Sequence, residues 1–400
     1  MKYKLDELYA TPFNRLESFL ANKIINSANE LVDLSIGQPY HPMPKIMFDT
    51  LYKNESLWNK YPPVNATNEY RKTVSNWLEY RYGLPQQFID DNTVLPLSGT
   101  REGLFTIVQA VDAYKGDKKP LKVAMPNPCF QTYQAAVAMC GGTTIPLDAY
   151  KEDNFLPSLD FFTQRLCKEL TLLYVCTPTN PQGMFASYDY IKKIIRIAQK
   201  YDFTIVFDHC YSEIYIDTPP VGVLEVVYRE NMKLDNIIVM HSLSKRSNVA
   251  GLRTGFVVGD PNIIKLYSKI RSYSCAGMPI PIVEATIALL KDEFHVVENR
   301  LLYKNKFIAA KNIFSDYTKF LMPQGGIFLW LEVNDAEQMC AELWRQDAIK
   351  VLPGNFMTLS VNNTVNHGKK YIRIAMVPEF EVMVKALTKI RHRIHLVDGI

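Results

Sequence analysis

Between about residues 90 and 260, short apolar runs alternate with segments that have helical spacing. Strands covered on both faces have continuous apolar runs, whereas half-exposed strands alternate apolar and polar residues. We predict five buried strands, at 122–126, 171–178, 203–209, 236–242 and 254–260. The segment 187–201, between the second and the third of these strands, is a predicted helix. Such alternation is typical of an α/β domain with a mostly parallel sheet.

After about residue 290 the pattern becomes mixed. The segments 325–333 and 370–377 are predicted strands, and 335–347 and 379–394 are predicted helices. A chain of 400 residues exceeds what one hydrophobic core usually supports. We therefore predict a large α/β domain and a smaller α+β domain.

Polar segments follow the apolar runs of the predicted large domain. In open α/β sheets, ligands bind outside the carboxyl ends of the strands, so these segments belong in one crevice if the sheet prediction holds. The segments are "SGTRE" (98–102), "PNPCFQTY" (126–133), "CTPTNPQG" (176–183), "DHCY" (208–211) and "SLSKRSN" (242–248).

Each of these segments also has an ordinary structural explanation. "SGTRE" precedes a predicted helix and could bind an anion on free amides, or simply cap the helix through Ser98 or Thr100. "TNPQG" is typical of a turn. Asp208 ends a buried strand and needs a cationic or N–H partner, which a cap or an ion pair would also supply.

The segment "SLSKRSNVAGLRTG" contains a lysine at a strand end. Desolvation and cationic neighbours would lower the pKa of Lys245 and make it a nucleophilic amine, whereas a basic surface loop is the alternative. Arg253 could return to the same crevice and hold an anion. Arg246 gains no role and is expected at the surface or behind the site. We interpret His209 and Cys210 as supporting residues, since no second ligand pair indicates a metal.

Composition narrows the class of protein. The chain is 48% hydrophobic and 22% charged, with a net charge of +4, which permits anionic substrates without indicating nucleic acid. Seven scattered cysteines without a C-x-x-C motif fit a reduced cytosolic protein. No signal-peptide pattern begins the sequence and no apolar run reaches the ~18 residues of a membrane span. We expect a soluble cytoplasmic protein.

Together the segments resemble, in order and spacing, the fold-type I pyridoxal-phosphate-dependent aminotransferases of class I/II, the aspartate aminotransferase superfamily. The ordered set "SGT…PxxCFxxY…TNPxG…DxxY…SxSK…GLRTG…GGIFLW…YIRIA" spans nearly the whole chain. The resemblance implies a three-layer α/β/α large domain with a mostly parallel mixed sheet, at 46–288, and a smaller α+β domain from 1–45 and 289–400. It also implies a homodimer with the active site at the subunit interface.

The resemblance further assigns residues to pyridoxal 5′-phosphate. Lys245 would hold the cofactor aldehyde and later move the proton at the substrate Cα. Asp208 would face the pyridine nitrogen, Tyr211 and Asn180 the 3-oxygen, and Phe130 would stack on the ring. The residues implied for the phosphate are Gly99, Thr100, Arg101, Ser242, Ser244, Arg253 and, from the partner subunit, Tyr61.

For the substrate, the resemblance implies small amino and keto acids. Arg373 in "YIRIA" would bind the α-carboxylate bidentately, with Gly37 and Asn180 beside it. A narrower likeness to N-succinyl-diaminopimelate aminotransferases rests on "LSIGQPYHPMP", "HSLSKRSNVAGLRTGFVVGD", "HVVENRLLYKNKF" and "VLPGNFM". It implies ping-pong transfer between N-succinyl-LL-2,6-diaminopimelate and 2-oxoglutarate, in lysine and diaminopimelate biosynthesis.

Other functions remain open at this point. An aspartate, alanine or aromatic aminotransferase would use the same scaffold, and a lyase or synthase would use the same lysine. A regulator with an added DNA-binding module is disfavoured because the large-domain motifs begin too early. The sequence departs from the family at His209, Ala66, Tyr70 and Ala250, where Glu, Gly, Leu and Pro are usual.

Overall fold

The computed structural model describes residues 8, 10–25, 29–116, 120–274, 277–359 and 366–399. Its strands are β1 (Val32–Asp33), β2 (Val94–Leu97), β3 (Lys122–Asn127), β4 (Thr143–Asp148), β5 (Leu172–Cys176), β6 (Thr204–Asp208), β7 (Ile237–Ser242), β8 (Gly255–Gly259), β9 (Phe328–Glu332), β10 (Ile349–Lys350), β11 (Leu352–Pro353) and β12 (Tyr371–Ala375).

Its helices are α1 (Pro12–Leu20), α2 (Lys45–Lys53), α3 (Asn68–Tyr82), α4 (Thr100–Lys115), α5 (Thr132–Met139), α6 (Gln164–Glu169), α7 (Tyr188–Tyr201), α8 (Val223–Arg229), α9 (Leu243–Arg246), α10 (Pro261–Ser274), α11 (Ile280–Lys291), α12 (Phe294–Ile313), α13 (Ala336–Asp347) and α14 (Phe380–Asp398). Within the described ranges, none of them is long and apolar enough to span a membrane.

A seven-stranded sheet forms the centre of the described fold, in the order β2-β8-β7-β6-β5-β3-β4. The strands are parallel except β8, which is antiparallel to both β2 and β7. The predicted mostly parallel sheet is therefore confirmed. The five predicted strands of the large domain correspond to β3, β5, β6, β7 and β8.

Helices cover both faces of this sheet. One face packs against α2, α3, α7, α8 and α11, and the other against α4, α5 and α10. The helix α7 illustrates how the sequence forms such a layer. Ser187 caps its first turn by accepting from the Tyr190 amide, and Ile191, Ile194 and Ile195 form the buried stripe. The fold is a three-layer α/β/α arrangement, as predicted.

A second hydrophobic core lies around the three-stranded sheet β11-β12-β9. It is built mainly from α1, α12, α13, α14 and these strands, that is, from both ends of the described chain. The two-stranded sheet of β1 and β10 joins the amino-terminal segment to the same unit. The boundaries at 45/46 and 288/289 stay a prediction.

Candidate active site

A cavity of about 1100 Å³ opens at the carboxyl ends of the parallel strands. All five polar segments lie at this edge of the sheet. Each of them comes at the end of one of the strands β2, β3, β5, β6 and β7, and these strands run in the same direction. Twelve of the fourteen predicted site residues line it: Gly37, Thr100, Arg101, Phe130, Asn180, Asp208, Tyr211, Ser242, Ser244, Lys245, Arg253 and Arg373. Sequence reasoning thus located the cavity and most of its polar wall.

Asp208 is a buried carboxylate at the last position of β6. Its Oδ2 accepts from the Tyr133 hydroxyl at 2.6 Å and its Oδ1 from the Cys210 amide at 3.1 Å. Burial raises the pKa of Asp208, and both hydrogen bonds act in the opposite direction. The expected N–H partner is therefore present, with a tyrosine hydroxyl besides.

Lys245 lies in the single helical turn α9, directly after β7. Its ammonium donates to the main-chain oxygen of Gly37. Burial lowers the pKa of Lys245 to about 8, with the positive charges of Arg373 and Arg253 contributing in the same direction. A lysine with this pKa has a substantial neutral fraction near physiological pH, as a nucleophilic amine requires.

A group of hydroxyls, amides and one guanidinium gathers beside this lysine. The Ser242 hydroxyl accepts from the Ser244 amide at 3.2 Å, and α4 begins at Thr100 with its first amides directed to the cavity end of the sheet. Arg253 donates to the Ser98 carbonyl at 3.4 Å and lies against Gly99. A side chain at Gly99 (φ +80°) would overlap that guanidinium. This donor set suits a phosphate group.

Arg373 forms the other end of the cavity, in the middle of β12. Its guanidinium is buried, donates to the Ser35 carbonyl at 2.8 Å and to Asn180 Oδ1 at 3.4 Å, and lies 4.2 Å from the centroid of the Phe328 ring. Its Nε, also buried, has no hydrogen-bond partner among the described residues. Burial lowers the pKa of Arg373 to about 10. A carboxylate would supply the missing acceptor and countercharge.

Two predicted residues lie outside the cavity wall. Gly99 is buried behind Arg253, while Tyr61 is 99% exposed. That exposure leaves the Tyr61 side chain accessible to a second subunit. Its role toward a partner's phosphate stays a prediction.

Several residues of the site were missed or misjudged from the sequence. Tyr133 was seen only as part of "PNPCFQTY", and its contact with Asp208 was not predicted. Cys210, expected to be a supporting residue, lines the cavity with its Sγ 2.9 Å from the Thr100 hydroxyl. Arg246 was expected at the surface or behind the site. It is buried and pairs with Glu293 at 2.5 Å, so the surface alternative is wrong. The helix α9 has only four residues, too few for a periodic pattern that would have predicted this burial.

The departures from the family pattern have structural consequences. His209 is buried, with Nδ1 3.5 Å from the Tyr82 hydroxyl and Nε2 without a described partner. Ala66 adopts φ +56°, a conformation that favours glycine. Tyr70 is fully buried and donates to the Gly255 carbonyl at 3.0 Å. The hydroxyl of Tyr70 thus connects α3 to β8.

Comparison with known proteins agrees with this geometry. A sequence model of the family described as aminotransferase class I and II matches residues 29–390. The 4-dedimethylamino-4-oxo-anhydrotetracycline transaminase OxyQ of Streptomyces rimosus is 28% identical, covering 90% of this chain and 93% of that protein. The LL-diaminopimelate aminotransferase of Dehalococcoides mccartyi is also 28% identical, covering 90% of each chain.

The structural likeness is stronger than the sequence identity. The crystal structure of an aminotransferase from Neisseria meningitidis Z2491 has a TM-score of 0.92 and is 35% identical, covering 98% of this chain and 100% of that one. The fold, the site and the family match together show that this chain is an aminotransferase that depends on pyridoxal phosphate. The chain belongs to the class I and II aminotransferases.

Proposed function

We propose that this aminotransferase transfers the amino group between N-succinyl-LL-2,6-diaminopimelate and 2-oxoglutarate, in diaminopimelate and lysine biosynthesis. The charge of the cavity carries the proposal. Four of its described lining residues are cations, Arg101, Lys245, Arg253 and Arg373, and Asp208 is the only carboxylate among them. The succinylated substrate carries three carboxylates and one ammonium, so its negative charge complements this wall.

The cofactor assignments leave two of those cationic side chains for the substrate, because Arg101 is assigned to the phosphate through its main-chain amide and not through its guanidinium. Pyridoxal phosphate, when bound, supplies an aldehyde and an electron-withdrawing ring. Lys245 would hold the aldehyde carbon and then move the proton at the substrate Cα. Asp208 would keep the ring nitrogen protonated, and Phe130 would lie against the ring face. Arg253 would bind the phosphate with the hydroxyl and amide donors around it.

Tyr211, Asn180 and Gly37 complete this assignment. Tyr211 and Asn180 would donate hydrogen bonds to the ring's 3-oxygen, and Gly37 would lie beside the substrate carboxylate. Both proposed contacts are compatible with their positions on the cavity wall. A side chain at Gly37 would overlap the Phe328 ring, so glycine leaves this approach open.

Arg373 and Arg101 would then bind the two ends of the substrate. Arg373 has an unpaired buried Nε and suits the α-carboxylate next to the reacting carbon. Arg101 is exposed on the cavity wall with its guanidinium 5.5 Å from the centroid of the Phe130 ring. A carboxylate of the distal, succinylated end is the ligand that we assign to Arg101.

LL-Diaminopimelate is the second candidate substrate, because several relatives of 25–28% identity are named LL-diaminopimelate aminotransferases. Its distal end carries an ammonium in place of the succinyl amide. That ammonium would need a carboxylate partner, and the one described carboxylate of the cavity, Asp208, is assigned to the cofactor. Cavity charge therefore favours the succinylated compound.

The active assembly that we propose is a homodimer with the site at the subunit interface. Exposed aromatic side chains support this proposal, since Trp58 is 53%, Tyr61 99% and Tyr273 87% exposed in the single chain. Large exposed aromatic groups of this kind are typical of protein interfaces. Sedimentation of the holoenzyme would give the mass of the assembly.

A half-transamination panel tests the substrate. The cofactor absorbance of the purified enzyme would be followed with N-succinyl-diaminopimelate, LL-diaminopimelate, glutamate, aspartate, alanine and phenylalanine. We expect the succinylated compound and glutamate to change the spectrum. In Arg101→Gln, the preference for the succinylated compound over LL-diaminopimelate should fall about tenfold. No response to the succinylated compound, with a response to LL-diaminopimelate or aspartate, would reject the substrate but not the family.

The cofactor assignment has its own test. Borohydride should fix the cofactor covalently to Lys245 and remove the yellow absorbance, and Lys245→Ala should lack turnover. Trapping on a different lysine would contradict the assignment of Lys245. It would leave the substrate proposal untouched.

A further inference from the structure

Two sequence motifs in which Gly37 alone has received a chemical role meet behind Lys245. They are "LSIGQPYHPMP" (34–44), from the amino-terminal segment, and "HVVENRLLYKNKF" (295–307), from α12. His41 of the first motif contacts Asn299 and Lys306 of the second. These two residues are seven apart and so lie on one face of α12. All three side chains are buried, with 5%, 3% and 2% exposure.

Their hydrogen bonds form a directed chain. The Asn299 amide nitrogen donates to the main-chain oxygens of Lys245 and Arg246, at 2.9 and 3.1 Å. The Asn299 oxygen is therefore the atom that faces His41, and it accepts from Nδ1 at 2.8 Å. With the proton on Nδ1, the Nε2 of neutral His41 accepts from the Lys306 ammonium at 2.6 Å. Every polar atom of Asn299 and His41 is used in this chain.

Lys306 is an unusual residue to bury. It also donates to the Val377 carbonyl at 3.1 Å. No carboxylate of a described residue forms an ion pair with it, and the charge of Glu379 acts on it only from beyond ion-pair distance. Burying an ammonium without a carboxylate partner destabilises the folded chain. A residue kept at such a cost is expected to serve the site that it supports.

The chain of contacts connects Lys245 to the cavity-lining segment at two points. The amine of Lys245 donates to the Gly37 carbonyl, and the main-chain oxygen of Lys245 is held by Asn299, which binds His41. Gly37 and His41, which make these contacts, belong to the segment 36–43, and this segment lines the cavity. When the amine of Lys245 acts on the cofactor or the substrate it must leave Gly37. The His41 contact and the hydrogen bond from Arg373 to the Ser35 carbonyl then anchor the segment.

We propose that His41, Asn299 and Lys306 are positioning residues of the aminotransferase reaction. They hold the main chain of Lys245 in place and keep the 35–43 segment against the cavity while the lysine amine moves. This role concerns the reaction of the family and does not depend on which amino donor the enzyme prefers. It gives a function to three residues of these motifs that the cofactor and substrate assignments do not use.

The test compares variants on one helix. Asn299→Leu and Lys306→Met break the chain. Lys304→Met is the matched control, since Lys304 is only partly buried and pairs with Asp217 at 3.1 Å. With any donor that the wild type accepts, kcat should fall about tenfold to hundredfold in the two chain variants, because the reacting amine is misplaced. KM should change by less than about threefold, and the control should stay within about twofold.

A second readout uses the protein without cofactor. Amide hydrogen exchange in 35–43 and 244–248 should accelerate at least about tenfold in Asn299→Leu and Lys306→Met, while β5 and β6 keep their protection. Unchanged kcat relative to Lys304→Met would overturn the proposal. So would faster exchange spread evenly over α12, α13 and α14, because a purely structural role predicts that outcome.

Two substitutions at His41 provide a further test, which keeps the proposal testable if Lys306→Met does not fold. His41→Gln keeps a polar group able to accept from Lys306, and His41→Phe keeps only the ring volume. We expect His41→Gln to retain several-fold more kcat than His41→Phe at equal thermal stability. Equal kcat for these two variants would overturn the proposal.

Discussion

The hydroxyl of Tyr133 donates to the Asp208 carboxylate across 2.6 Å and so links the start of α5 to the end of β6. The Tyr133 ring is stacked on Tyr174 at 4.2 Å between centroids, which fixes its orientation. Burial raises the pKa of Asp208, whereas this hydrogen bond favours its ionised form. Tyr133 therefore helps to keep a buried carboxylate negative where a cation is to bind.

Tyr133→Phe tests this relationship. Removing a hydrogen bond to a charged group costs about 1.5–3 kcal/mol, so cofactor affinity should fall about tenfold or more. Tyr174→Phe is the matched control, since its hydroxyl donates to the Leu104 carbonyl at 2.6 Å and equally lies in the core. Cofactor titration of both apo variants gives the dissociation constants. Equal losses in the two variants would show that the Tyr133 hydroxyl has no special effect on Asp208.

Gly99→Ala should weaken cofactor binding through Arg253. Gly99 has φ +80° and its hydrogen faces the Arg253 guanidinium, so a methyl group would displace the cation that we assign to the phosphate. Gly83→Ala is the control, because Gly83 has φ +61° but no atom within 4 Å. Gly83 lies in the left-handed helical region (ψ +38°), where alanine costs about 1–2 kcal/mol of stability. Gly99 (ψ +148°) lies outside that region, in a conformation adopted almost only by glycine, so Gly99→Ala carries the larger backbone strain.

The two glycine variants are expected to differ in their affinity for the cofactor. Only Gly99→Ala should raise the dissociation constant of pyridoxal phosphate, by about tenfold or more. Equilibrium dialysis of the apo proteins measures it, and thermal unfolding measures the stability that each variant loses to backbone strain. A normal dissociation constant in Gly99→Ala would remove Arg253 from the phosphate site.

Apolar runs predicted the central strands because those strands are covered on both faces. The strands β2 and β4 were not predicted, and both are edge strands of the seven-stranded sheet that contain a proline, Pro96 and Pro146. Proline lacks the N–H of the sheet ladder, so it weakens the strand signal in the sequence while an edge tolerates it.

Strand-end chemistry was predictable for a related reason. Parallel strands bring their carboxyl ends to one edge, so residues as distant in sequence as Thr100 and Lys245 could be placed in one crevice without coordinates. Contacts that depend on side-chain direction were not predictable. The Tyr133–Asp208 bond and the His41–Asn299 bond join segments 75 and 258 residues apart, and no local periodicity encodes them.

Buried neutral histidines should make the protein sensitive to acid. Burial lowers the pKa of His209 to about 3, with the charge of Arg81 acting in the same direction, and lowers that of His241 as well. In the unfolded chain a histidine binds a proton below about pH 6.5. The unfolded state therefore takes up more protons, and the free energy of unfolding falls as pH drops from 6.5 toward 3, by about 1.4 kcal/mol per pH unit for each histidine.

His209→Gln should flatten this dependence. Between pH 6.5 and 5 the apo variant should lose about 2 kcal/mol less unfolding free energy than the wild type. His392→Gln, at an exposed position of α14, is the control and should follow the wild-type slope. Urea unfolding at both pH values provides the comparison. Parallel slopes for wild type and His209→Gln would mean that His209 is protonated in the folded protein.

The attachment of pyridoxal phosphate to the apo protein should titrate with Lys245. Burial lowers the pKa of its amine from 10.5 to about 8, and only the neutral amine attacks an aldehyde. Below pH 8 the rate of attachment should therefore rise about tenfold per pH unit, and above pH 8 it should level off. Stopped-flow absorbance over pH 6–10, with borohydride trapping at each pH, measures this rate.

The Arg373→Leu variant tests whether the charge of Arg373 contributes to the lowered pKa of Lys245. The charge of Arg373 contributes to the lowered pKa of Lys245, after burial, so its removal should move the midpoint of the rate profile upward. Arg393→Leu is the control, because Arg393 pairs with Asp347 at 2.9 Å and does not line the cavity. A wild-type midpoint near 10.5 would show that the folded chain does not perturb Lys245. An unchanged midpoint in Arg373→Leu would show that the charge of Arg373 does not contribute to the lowered pKa of Lys245.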